Sequence, residues 1–364
     1  MLSLLEGVLA EHWRWSFITQ RSDASDTYLG RTIKETLNFD RALRLVHEFA
    51  PGARLSLQAL LDDAACRSHW LESELTVALG KVTQLLEDDP QAWASAAPEG
   101  PFHKPAAGDL ATVENLALAG HPSSLAGRAG GPPIVRAAER FLLLLDVLRS
   151  RYEEVPQEHV RRDYFHRVQL QACVRFIEAL DAEQTRLAGR LFGQLPRGAV
   201  ERPPPVDLLA GLVLLANTAG HLAAMLSQLR LDNFYRRLLV ADPGGTAPPC
   251  GLLLSSLQDR LQHIHLGTLA TLAGAVATLL VASLSEYTQA ASADTLPMDL
   301  DEVRPAPQLG PVQRMCAALG AAPLFLILSP ADREAIFRAL CEALDLHLLV
   351  RLLARSTCPS SSGR

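Results

Sequence analysis

The stretch from Ser68 to Leu86, SHWLESELTVALGKVTQLL, decides the fold class. Leu71, Leu75, Ala78, Val82 and Leu85 recur at steps of three and four, the spacing that lines up side chains on one face of a helix, and the opposite face is polar. Asp88, Asp89 and Pro90 end the pattern. The same periodicity runs through most of the chain, and no run of alternating β-branched residues bounded by hairpin turns competes with it. The chain reads as all-α.

Working outward, Pro132 and Pro133 open a helix whose stripe is Val135, Ala138, Leu142, Leu145 and Leu148; it continues to about Arg151, and Pro156 stops it. The next begins near Gln157, places Phe165, Val168, Ala172 and Phe176 on one side, and runs to about Phe192. Further helices are expected over 206–240, 252–287, 311–319 and 330–354. At 1.5 Å per residue, helices of 25 to 35 residues are roughly 40 to 50 Å long, so the expected architecture is an elongated stack of long antiparallel helices. Pro/Gly-rich breaks divide it into a first helical segment (1–96), a flexible insertion (97–133), a central bundle (134–240), a loop (241–251), a C-terminal helical segment (252–354) and a disordered tail (355–364).

Composition narrows the function classes. Hydrophobic residues make up 48% of the 364 and charged residues 20%, a globular balance weighted toward Leu and Ala. Net charge is -6 and the 34 basic residues are dispersed, which argues against a nucleic-acid surface. Six cysteines lie far apart without a C-x-x-C pair, so they read as reduced thiols in the cytosol. The first residues, MLSLLEGVLAEHWRW, have neither a basic n-region nor a small-residue cleavage site, so a secretory signal is not expected.

Two uncharged stretches, 208–229 and 266–284, are about long enough to span a bilayer as a hairpin. Asn217, His221, Ser227 and Gln228 interrupt the first, and Thr268, Thr271 and Thr278 dilute the second. Neither carries the flanking Lys/Arg and Trp/Tyr bias of a span, so buried bundle helices are the preferred reading, with the hairpin as the alternative.

Catalytic chemistry has no foothold. Gly127, Gly130 and Gly131 follow no strand and lack the Gly-Lys-Ser/Thr ending of a phosphate loop. His263 and His265 point apart on a helix, with no third ligand nearby. Asp62, Asp63, Glu87, Asp88 and Asp89 sit at helix ends, where acidic groups cap amides or stay solvated. Trp13, Trp15 and Phe17, with His12 and Arg14, read as packing at a helix end, ahead of a membrane or partner contact. No catalytic, cofactor-binding or metal-binding residue is expected, and no small-molecule substrate.

Four segments in order carry a family resemblance. ETLNFDRALRLVH matches the E-x-L-x-F-x-x-x-L-R-x-V-H stretch of the Rint/Tip family at Glu35, Leu37, Phe39, Leu43, Arg44, Val46 and His47. WLESELTVALGK resembles its W-L-x-x-E-x-x-x-A-L-x-K run through Trp70, Leu71, Glu74, Ala78, Leu79 and Lys81, with Ala92-Trp93 following. Then come Arg151, Tyr152 and Pro156, with Phe165, Gln169 and Phe176 in the F-x-x-x-Q-x-x-x-x-x-x-F spacing. Asn217 and Leu226 fall in register in the last.

The resemblance fades after about Cys250. It implies the helical-rod fold of multisubunit tethers and membership of the Dsl/NRZ complex, which captures Golgi-derived vesicles at the endoplasmic reticulum. Implied partners are a Zw-ten/Dsl-like subunit, a third tether subunit and endoplasmic-reticulum SNAREs. Implied location is cytoplasmic, peripheral on the endoplasmic-reticulum membrane through those partners, with a checkpoint link through the Rad-fifty protein. A counterpart of the family's amino-terminal pairing segment is not expected in this sequence. The matched residues themselves are expected to pack between helices, and Glu35, Arg44 and Glu74 to form register-fixing ion pairs.

Overall fold

The computed structural model describes residues 36, 38, 42, 61–95, 132–195, 205–239, 250–290, 315–317 and 327–356. Outside them lie the motif residues Glu35, Leu37, Phe39, Leu43, Arg44 and His47, the aromatic patch Trp13, Trp15 and Phe17, the glycine cluster, and most of the tail, of the insertion and of the 311–319 helix.

Every regular element among the described residues is helical. The order is α1 (Ala64–Glu87), α2 (Arg136–Tyr152), α3 (Glu158–Tyr164), a π-turn (Phe165–Gln169), α4 (Leu170–Gln194), α5 (Val206–Leu229), α6 (Asn233–Leu239), α7 (Cys250–Ala290) and α8 (Pro330–Ser356). The chain clusters into two compact units: one of 1–129, 136–179 and 222–260, the other of 130–135, 180–221 and 261–364.

Local chemistry sets the helix boundaries. Asp63 caps α1, its carboxylate accepting the Ala65 and Cys66 amides at 2.9 and 3.1 Å. After α1 the chain turns, and the Ala94 and Ala92 carbonyls accept the Arg136 and Ala137 amides, so this turn satisfies two of the open donors at the start of α2. Ser329 caps α8: its hydroxyl accepts the Asp332 amide and donates to the Asp332 carboxylate, with Pro330 in the first position.

The stripes of α2 and of the α3–α4 run are buried as their periodicity predicts: Val135, Ala138, Leu142, Leu145 and Leu148, then Phe165, Val168, Ala172 and Phe176. Three features differ from the sequence expectation. In α1 Leu75 and Leu85 are only half-buried, while Glu74 is buried in the stripe. The expected single helix over 206–240 is broken at Arg230–Asp232, where Asp232 accepts the Phe234 amide at 2.7 Å and starts α6. A π-turn interrupts the run between α3 and α4, the Leu170 amide reaching back to the Phe165 carbonyl.

The two apolar helices are internal to a large degree. Val206–Leu229 and Gly251–Leu284 are each long and apolar enough to cross a membrane, yet 67% and 50% of their most apolar windows are buried. In α5 every residue from Leu212 to Ala219 is buried, including Asn217 and Thr218. A helix enclosed on all sides is apolar on all sides.

Candidate functional site

Among the described residues, seven of the family-motif residues are buried in the first unit. Trp70, Leu71 and Glu74 lie on the buried face of α1, Tyr152 at the end of α2, Phe165 and Gln169 at the two ends of the π-turn, and Phe176 on α4. α1, α2, α3 and the π-turn pack together around them, and α6 packs on α3. Trp93 stands apart, half-buried in the turn that follows α1.

At the centre is a polar knot. Glu74, its side chain 4% exposed, takes Arg151 on both carboxylate oxygens at 2.7 and 2.9 Å, and the Tyr164 hydroxyl donates to it at 2.8 Å. A carboxylate buried this deeply needs a cation and a donor in place, and here α2 and α3 supply them. Beside it the Tyr152 hydroxyl donates to Gln169 Oε1 at 2.5 Å, and Gln169 Nε2 donates to the Tyr235 oxygen at 3.1 Å. The widened π-turn carries Gln169 into this position between α2 and α6.

Aromatic rings seal the knot. Tyr152 stacks on Tyr164 at 4.7 Å between centroids and Trp70 tilts against Tyr164 at 5.1 Å; farther along α2 and α4, Phe141 stacks on Phe176 at 4.3 Å. Arg149 closes the outer side: it reaches Asp232 at 3.0 Å and Glu153 at 3.2 Å, and its guanidinium lies 5.0 Å from the Phe234 ring centre.

Burial governs the titration of these groups. It pushes the Tyr235 phenol up to about 12 and the Tyr152 and Tyr164 phenols well above their usual value, so all three stay protonated, Tyr152 and Tyr164 as donors and Tyr235 as the acceptor of the Gln169 amide. Burial works against the Arg149 charge, but the Glu153 hydrogen bond and the neighbouring Asp232 outweigh it and hold the guanidinium protonated. Burial also pushes the Cys173 thiol up to about 12, which keeps it from acting as a thiolate nucleophile. Each polar group of the knot is engaged by another helix, so what the arrangement does is fix helices in register.

Tyr164, Tyr235, Arg149, Asp232 and Phe234 belong to the knot but carry no mark in the sequence reading. Their partners are remote: Glu74 and Tyr164 are 90 residues apart, and Arg149 and Asp232 are 83.

The second unit has smaller clasps. Asn217 donates to the Pro133 carbonyl at 3.1 Å and to the Ile327 carbonyl at 3.0 Å, and the Thr218 hydroxyl accepts the Val135 amide at 3.0 Å. His265 bridges the Ala216 carbonyl, at 2.9 Å from Nδ1, and the Asp332 carboxylate, at 3.0 Å from Nε2. Gly220 permits that crossing, since a Cβ there would stand 3.3 Å from the imidazole. His263 is exposed, and among the described residues no three of His, Cys, Asp and Glu group as metal ligands.

An all-helical chain whose buried polar groups fasten one helix to another defines a helical scaffold. The RINT-1/TIP-1 family model matches residues 11–241, and the chain belongs to the RINT-1/TIP-1 family. That family consists of tethering-complex subunits and is not known for enzymatic activity. No curated protein matches the chain, and no solved structure does.

Proposed function

We propose that this chain is a non-catalytic subunit of a vesicle-tethering complex in Golgi-to-endoplasmic-reticulum retrograde transport. Its helices present surfaces to endoplasmic-reticulum SNAREs and to neighbouring tether subunits, the Zw-ten/Dsl-like one and a third among them. Binding energy comes from a few buried anchors at each contact. It resides in the cytoplasm, peripheral on the endoplasmic-reticulum membrane. The observation that carries the reading is the family match over 11–241, with the described motif residues Trp70, Leu71, Glu74, Tyr152, Phe165, Gln169 and Phe176 all buried in the first unit.

The test is co-purification of the tagged full chain from cell extract. Tether subunits and endoplasmic-reticulum SNAREs are expected in the eluate, and their absence, with another family member as positive control, rejects the reading.

A second reading has its own observation in the two long apolar helices, which suit a membrane hairpin by length and composition. Alkaline carbonate extraction separates the two. A peripheral scaffold leaves the membrane fraction, and a spanning hairpin stays in it.

A further inference from the structure

α6 and the turn before it expose a face that the polar knot leaves unused. Tyr235 and Leu238 turn inward, so Asn233, Arg236 and Arg237 form the outer side of the helix. Arg230 is exposed in the turn, and beside it Leu231 is 78% exposed, more than any other large apolar side chain among the described residues. Asp232, the acid in this segment, is half-buried and engaged by Arg149 and the Phe234 amide. None of Arg230, Arg236 and Arg237 is in an ion pair among the described residues. Among the described residues of this segment the outer face thus carries three positive charges and no negative one, on a chain whose net charge is -6.

We propose that this face docks on the anionic surface of a membrane, the three arginines pairing with lipid headgroups and Leu231 entering the headgroup layer. The charge selects an anionic partner. Leu231 stands at the crest of a turn, and a bilayer interface accepts a projecting apolar side chain without a shaped pocket, whereas an acidic protein segment would have to supply one. Each arginine near an anionic surface strengthens binding about fivefold, so the face is an accessory contact that adds to others. The inference rests on the tether reading only for which membrane is met. It adds direct lipid contact to association through partners.

The test is co-sedimentation of the purified full chain with phosphatidylcholine vesicles, with and without phosphatidylserine, at low and high salt. Binding is expected only with phosphatidylserine present, weakened by salt, and about 25-fold lower in the Arg236→Gln/Arg237→Gln double variant. Leu231→Ser is a second variant, expected to weaken binding a few-fold, and both exposed changes should leave the helical circular dichroism signal intact. Equal binding to both vesicle types overturns the proposal and points to the apolar helices; a double variant that binds like the parent also overturns it and puts the contact on another face. Capture by an immobilised acidic peptide, lost in the double variant and unaccompanied by vesicle binding, overturns it in favour of a protein partner. The vesicle assay contains no other protein, so its result is independent of the co-purification test.

Discussion

The two units hold their helices together in different ways. The unit containing α1 fills its interior with rings and directional bonds: Trp70, Phe141, Tyr152, Tyr164, Phe165, Phe176 and Tyr235 are buried there with the Glu74–Arg151 pair and Gln169. The unit containing α8 is built from Leu, Ala and Val, with close approaches at glycine such as Gly211 against Leu187, and a few clasps through Asn217, Thr218 and His265. Aliphatic packing admits several registers of nearly equal energy, while a buried ion pair or amide admits few. The first unit is therefore specified by particular residues, and the second by volume and pattern.

That contrast can be broken by mutation. Trp70→Ala should have the largest effect, a loss of about 4 kcal/mol, because it empties the space against Tyr164; hydrogen exchange should place the loss in the first unit. Glu74→Ala strands Tyr164 and Arg151 and should cost about 3 kcal/mol, a figure held down by the 37% exposure of Arg151. Leu75→Ala, the neighbouring change, should cost about 1 kcal/mol in the same denaturation series. In the second unit Asn217→Ala leaves two carbonyls unmet and should cost about 2 kcal/mol, read as lost protection at the start of α8.

Alkaline titration separates the units without mutation. Burial raises the folded Tyr235 phenol above its unfolded value, so the unfolded chain releases that proton first. Its stabilisation is complete below pH 10 and falls by roughly 1.4 kcal/mol per pH unit from about 10 to about 12, measured as a loss of protection in the first unit. The smallest effect is expected at Arg338, whose pair with Glu334 is exposed on both sides: Arg338→Ala should change stability by about 0.3 kcal/mol.

Helices and most of their buried faces were legible in the sequence because a helix writes its own period locally. Leu71, Ala78, Val82, Leu142 and Phe176 could be placed from their neighbours three and four positions away. The knot could not. Glu74 replaces Leu75 on the buried face because Arg151 lies 77 residues downstream, and no spacing rule connects the two. Resemblance flagged Glu74, Tyr152, Phe165, Gln169 and Phe176 one by one but gave no account of their meeting. The break before α6 was hidden for a similar reason: apolar residues such as Leu229 and Leu238 stand on both sides of it, and the pull of Arg149 on Asp232 comes from another helix. The apolar runs of α5 and α7 looked ambiguous in sequence because an enclosed core helix and a membrane span share one composition.

Asn217 imposes an order on synthesis. Its amide joins Pro133, 84 residues earlier, to Ile327, 110 residues later. By the time Arg260 leaves the ribosome every stretch of the first unit has been made, whereas the Ile327 carbonyl follows seconds later at roughly 5 to 20 residues per second. The long aliphatic helices of the second unit spend that interval without their final strap, and are the part of the nascent chain a chaperone would have to shield.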